Sequence, residues 1–113
     1  MNKYRNKKVI VDNIRFDSNL EANRYRELML LQRAKEISNL RLQVPFVLQE
    51  SFKKNGKTYQ AIKYIADFVY EERGQTIVED TKGVKTEAFK IKQKLFEYKY
   101  PDLSLKIITR EEL

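Results

Sequence analysis

Apolar and polar positions alternate most regularly over two neighbouring stretches, Tyr64-Ile65-Ala66-Asp67-Phe68-Val69-Tyr70 and Thr76-Ile77-Val78-Glu79-Asp80-Thr81-Lys82. Both are rich in β-branched and aromatic residues, and the polar segment between them contains Gly74, so together they predict a β-hairpin turning at Arg73-Gly74. A two-residue loop there sets Glu72 opposite Gln75 and, further along, Asp67 opposite Asp80, with opposed Cβ atoms about 4.5–5.5 Å apart. A three-residue loop with a bulge would instead leave Asp67 opposite Glu79 or Thr81. In the first register, alternation puts Lys82, Ile65, Val69 and Val78 on the face of the two aspartates, and Ala66, Phe68, Tyr70 and Ile77 on the other. Both faces are partly apolar, which predicts a central position in a covered sheet.

The same reading extends along the chain. Val9-Ile10-Val11 and Ile14-Arg15-Phe16 flank Asp12-Asn13 as a small hairpin, pairing Val11 with Ile14 and Val9 with Phe16. Ser18 opens a helix predicted to reach Glu36, with Glu21 completing a Ser-x-x-Glu capping box, and Ser38-Asn39 ends it. Leu42 to Phe52 reads as a strand in which Pro45 suggests an edge or a bulge. Asn55-Gly56 turns the chain, pairing Phe52 with Tyr59 and Phe46 with Ile65, into one long strand from Lys57 to Tyr70. Thr86 caps a second helix to Tyr98 with an apolar stripe of Ala88, Ile91, Leu95 and Tyr98, widened by Phe89 and Phe96. Pro101 breaks it, and Leu103 to Ile108 forms a last strand. The fold class is α/β (α+β): helix, three-stranded antiparallel meander, helix, strand, preceded by a small hairpin.

At 113 residues the chain reads as one domain, residues 1–113, whose first eight residues form a basic arm. No apolar run reaches the roughly 18 residues of a membrane span, and there is no cysteine, which together predict a cytoplasmic protein without a membrane partner. Net charge is +7, which suits a polyanion and equally suits plain solubility. With neither histidine nor cysteine, the usual nucleophile–base pairs, zinc sites and thiol redox motifs are excluded. Chemistry must come from carboxylates, lysine, tyrosine or a bound ion.

Two opposed carboxylates on a strand pair destabilise it unless a positive charge lies between them, and an all-oxygen site favours Mg²⁺ or Mn²⁺ over zinc or copper. Glu21 has two readings. It completes a cap, and it also lies within about 40° of Tyr25 and Leu28 on the inward stripe, from which it could point at the hairpin. Lys53, Lys54, Lys57 and Lys63 around the Asn55-Gly56 turn could contact phosphate or simply protect a sheet edge. Lys85, Lys90, Lys92, Lys94 and Lys99 surround the second helix's stripe, either as a solvated face or as phosphate contacts.

The element order, with an acid on the first helix, Asp67 on the second core strand and Asp80-x-Lys82 on the third, resembles the PD-(D/E)xK nuclease superfamily. Phe16-Asp17-Ser18, Glu21-Ala22, Arg24-Tyr25, Leu42-Gln43-Val44-Pro45-Phe46, Tyr64-Ile65-Ala66-Asp67-Phe68 and Val78-Glu79-Asp80-Thr81-Lys82-Gly83 are similar to a small family of phage and prophage endonucleases. Ala66 stands where the superfamily's name has proline, and Glu79 lies beside the motif acid. The resemblance implies a restriction-endonuclease-like core with Glu21, Asp67, Asp80 and Lys82 as catalytic residues. It implies Mg²⁺, with Mn²⁺ able to substitute, held by Asp67, Asp80, Thr81 and Glu21, and no small-molecule cofactor. Arg24, Lys85, Lys90 and Lys94 would contact DNA. The implied activity is hydrolysis of branched DNA by a homodimer, as in Holliday-junction resolvases, in a phage-infected or prophage-carrying bacterial host. The alternative is a basic nucleic-acid-binding accessory protein without catalysis.

Overall fold

Three pairs of successive residues with positive φ build the tight turns of this protein: Asp12-Asn13 (54° and 64°), Asn55-Gly56 (53° and 73°) and Arg73-Gly74 (52° and 77°). Two positive values in succession define the type I′ turn, whose twist matches that of the strands it joins. The computed structural model describes residues 8–109; the basic arm lies almost entirely outside them.

In chain order the elements are β1 (Val9–Val11), β2 (Ile14–Phe16), α1 (Asn19–Arg33), β3 (Ser38–Gln49), β4 (Phe52–Lys54), β5 (Lys57–Tyr59), β6 (Ile62–Glu72), β7 (Gln75–Thr81), α2 (Glu87–Lys99) and β8 (Leu105–Ile108). The central sheet has the order β3-β6-β7-β8; its first three strands are antiparallel and β8 runs parallel to β7. The class is thus mixed α+β, with a mixed sheet and two helices among the described residues. β1–β2 and β4–β5 are separate two-stranded ribbons.

Each helix covers one face of the sheet. Phe16, Ala22, Tyr25 and Leu28 pack with Phe68 and Tyr70 beneath α1, while Phe89 and Phe96 of α2 pack with Tyr64, Ala66, Val69, Val78 and Leu105. Phe68, Phe96 and Leu28 are fully buried, each contributing on the order of 1.5–3 kcal/mol by leaving water.

Several boundaries differ from the pattern-based expectation. α1 stops at Arg33 because Lys35 adopts φ 63°, and the Lys35 and Glu36 amides donate to the Gln32 and Leu31 carbonyls in a Schellman closure. Ser38-Asn39 therefore opens β3 and does not cap the helix. The long strand from Lys57 breaks after Tyr59, and a register shift between Val47 and Gln49 pairs Phe46 with Tyr64, not Ile65. On α2, Phe89 and Phe96 form the buried stripe, whereas Ile91 and Tyr98 are exposed. Pro45 sits opposite Ile65 on the edge strand, where its missing N–H faces no neighbour.

Candidate active site

The β6–β7 ladder runs regularly from Glu72–Gln75 to Phe68–Glu79, the register set by the two-residue Arg73-Gly74 turn. There it stops, and side chains take over its hydrogen bonds. The Asp67 amide donates to Asp80 Oδ1 at 3.1 Å, and the Thr81 amide and hydroxyl each donate to Asp67 Oδ2 at 2.9 Å. The predicted juxtaposition of Asp67 with Asp80 is present, and the one-residue slip is not.

The predicted sharing of faces holds only beyond Asp67. Phe68 and Tyr70 face α1, as alternation requires, but Ala66 and Tyr64 pack with Val69 against α2. Ile65 is exposed. On β3 the same break occurs, since Leu40 and Leu42 lie with α1 and Val44, Phe46 and Leu48 with α2. Between the rungs Leu42–Phe68 and Val44–Ala66 stand Gln43, at φ 54°, and Asp67. Both strands thus change face at one level, so Asp67 belongs to neither layer and can be reached from the helix on either side.

From the α1 side comes Glu21. Ser18 accepts from the Glu21 amide at 3.1 Å and caps the helix, while Glu21 Oε1 accepts a long 3.4 Å bond from the Asp17 amide. Its other oxygen accepts from the Gln43 amide nitrogen at 3.1 Å, and the same nitrogen lies 3.3 Å from Asp67 Oδ1. Glu21 therefore caps and also faces the site. Burial first, then the neighbouring Asp67, pushes its pKa up to about 7.

From the α2 side come Lys82 and Tyr64. Lys82 Nζ stands 3.1 Å from Asp80 Oδ2 and 4.4 Å from the centre of the Phe89 ring. Asp80 Oδ2 is buried and meets Lys82 as an ion pair, with the buried Tyr64 hydroxyl beside it. Burial, then hydrogen bonding and charge from Asp67, raises Asp80 to about 7, although Tyr64 and Lys82 pull it down. Burial raises the Tyr64 phenol, as does the adjacent Asp80.

Arg24, expected to contact DNA, is engaged within the protein. Its guanidinium makes a fork of 2.8 and 2.7 Å to Glu79, which is fully buried, and a third bond to Glu27. Tyr70 also donates to Glu79. Glu79 points to the α1 face and balances Arg24, so it is no substitute for Asp80. Of the basic residues, Lys63, Lys82 and Lys92 line a cleft of about 320 Å³ with Tyr64, Ile65 and Phe89. Lys85, Lys90 and Lys94 do not line it, although all three are exposed, and Lys90 is paired with Glu87. Gln43 escaped notice because an exposed strand glutamine carries no signal of its own; only the β3–β6 register puts it opposite Asp67.

Asp67 and Asp80 bring two carboxylates together on one β-strand pair beside the single ammonium of Lys82, and with the Thr81 carbonyl they would offer hard oxygen donors. Two carboxylates completed by water and substrate oxygens are what Mg²⁺ ordinarily takes from a protein, so the residues fit that ion. Among the described residues no group of three acidic side chains is spaced to hold a cation, and the Gln43 amide lies between Glu21 and Asp67.

Fold and site together define a mixed α+β protein with an acidic, lysine-flanked centre where two core strands part. The chain belongs to the DUF1064 family, described as a protein of unknown function, whose pattern matches residues 1–112. No curated protein matches it. A solved structure described as the crystal structure of SSO0001 is similar at 18% identity, with a TM-score of 0.41, over 80% of this chain and 45% of that one; a likeness that distant carries no argument about function. This chain thus spans less than half the length of that relative. No helix among the described residues is long and apolar enough to cross a membrane.

Proposed function

We propose that this protein is a metal-dependent DNA endonuclease with a restriction-endonuclease-like core, acting on branched DNA. The observation that carries the reading is the opening of the β6–β7 ladder at Asp67 and Asp80, with Lys82 Nζ 3.1 Å from a buried Asp80 oxygen. A single lysine there faces two adjacent carboxylates, and burial together with Asp67 still holds Asp80 up to about 7. That pair has acceptor capacity to spare, which suits a cation.

Asp67, Asp80 and the Thr81 carbonyl would hold Mg²⁺ or Mn²⁺, which when bound supplies Lewis acidity toward a phosphodiester and a more acidic water. Thr81 fixes Asp67 through two hydrogen bonds to Oδ2, while Oδ1 accepts a longer bond from Gln43. Lys82, held over the Phe89 ring, is placed to donate to a phosphate oxygen or to orient the attacking water. Glu21, joined to Asp67 through Gln43, would hold a second ion or an outer water. By the superfamily resemblance it would work as a homodimer in the cytoplasm of a bacterial host.

The second reading, a nucleic-acid-binding accessory protein, draws on the absence of a three-acid cluster among the described residues. The two separate in Asp80→Asn. A nuclease loses Mg²⁺-dependent cleavage while retaining DNA binding, whereas an accessory binder has no cleavage to lose.

A further inference from the structure

The β4–β5 ribbon pairs with no other strand, and all six of its strand residues are exposed. The rungs Phe52–Tyr59, Lys53–Thr58 and Lys54–Lys57 assign its two faces. Phe52, Tyr59, Lys54 and Lys57 share one of them, and Lys53 projects from the other. The two rings stack at 4.8 Å and 10°, with Lys57 Nζ 5.2 Å from the Tyr59 centroid. Each ring remains about two-fifths exposed.

Lys54 directly opposes Lys57, an arrangement that destabilises a hairpin. No acidic residue among those described lies within ion-pair distance of Lys53, Lys54, Lys57 or Lys63, so nothing local offsets the charge gathered on the ribbon and the start of β6. The Asn55-Gly56 turn nevertheless locks the ribbon into this form. Three unneutralised lysines and an aromatic pair on a preformed arm, with Lys63 following on β6, match what a nucleic acid strand presents, namely phosphates and the faces of unpaired bases.

The arm is tied to the candidate site by β6 itself. Lys63 and Ile65 leave the arm and line the cleft that also holds Lys82 and Lys92, and Asp67 follows two residues later. From Ile62 to Asp67 the strand rises about 17 Å, roughly the span of five nucleotides.

We propose that the β4–β5 ribbon is a DNA-contacting arm. Lys53, Lys54 and Lys57 hold phosphates away from the bond at the acidic centre, the Phe52–Tyr59 stack receives an unpaired base, and the Lys63–Lys92 cleft guides the strand between them. The inference deepens the nuclease reading and names the part of the chain that selects its substrate.

The test measures binding of a synthetic four-way junction, a linear duplex and a single strand in EDTA across a salt series, for wild type, Lys53→Ala/Lys54→Ala/Lys57→Ala and Tyr59→Ala. Exposed residues are changed throughout, so circular dichroism and melting should match wild type. The triple variant should lose at least about tenfold in affinity and about two to three units of log-log salt slope. Tyr59→Ala should weaken junction and single strand several-fold more than duplex. If a folded triple variant binds all three DNAs with wild-type affinity and slope, the arm serves only as edge protection and the proposal is wrong. Equal weakening of duplex and single strand by Tyr59→Ala would remove the stacking role. Cleavage by wild type in Mg²⁺ is scored separately: wild-type protein that binds through the arm but never cuts would sink the nuclease reading and leave the arm standing.

Discussion

Gln43 and Asp67 face one another across β3 and β6 at the one level where both strands change the face they present to the helices. The Gln43 amide nitrogen lies 3.3 Å from Asp67 and 3.1 Å from Glu21, so one donor serves two carboxylates. Its backbone holds φ 54°, a conformation that costs a non-glycine residue about 1–2 kcal/mol. Gln43→Gly should relieve that strain while losing the bridge. The expected result is a melting temperature within a few degrees of wild type and cleavage reduced at least tenfold. Equal cleavage by both proteins would show that the bridge does not position Asp67.

The buried ion pair between α1 and β7 gives a prediction about stability. Arg24→Ala leaves Glu79 charged and fully buried, which should cost about 3–5 kcal/mol, read by denaturant unfolding. Replacing both residues together by apolar ones of similar volume should recover most of that loss. If Arg24→Ala unfolds like wild type but binds DNA weakly, the arginine belongs to the DNA interface after all.

Glu21 and Asp80 predict a pH dependence. Their ordinary values are 4.5 and 3.8, and both are raised to about 7 in the folded protein. Between those values the folded chain holds protons that the unfolded chain has released. The stability they contribute is therefore complete below about pH 4 and lost as pH rises through about 7. The metal-free protein should melt at a lower temperature near pH 8 than near pH 5, and Asp80→Asn should flatten the slope. Millimolar Mg²⁺ should restore stability at the higher pH, because it binds the ionised pair; a melting curve blind to Mg²⁺ would argue against the metal site.

Much of this was legible in the residues, and the failures have identifiable causes. The Asp67–Asp80 register could be read because Arg73-Gly74 is a turn whose geometry dictates pairing. Glu21 was legible as both cap and inward residue because helical periodicity is local. The end of α1 was not, since Lys35 takes the left-handed position normally marked by glycine. Alternation misplaced Ala66 and Ile65 because two strands break their period together at Gln43 and Asp67, which no single-strand pattern reveals. The same limit hid Arg24's partner: Glu79 lies on an element far along the chain, and a surface-seeming arginine proved to be half of a buried pair. Ile91 and Tyr98 fit a helical stripe as well as Phe89 and Phe96 do; which side of α2 turns inward is decided by packing against Phe46 and Tyr64 on the sheet, which the helix's own pattern does not encode.

The central claim is that Asp80 supports metal-dependent hydrolysis of DNA. It is tested most directly by incubating wild type and Asp80→Asn, both verified as folded, with a labelled four-way junction in Mg²⁺, Mn²⁺ or EDTA, beside linear and single-stranded controls. The account predicts cuts by wild type with either metal, none in EDTA, and none by Asp80→Asn even though it still binds the junction. Absence of cleavage on every substrate, or cleavage by Asp80→Asn at the wild-type rate, would contradict it.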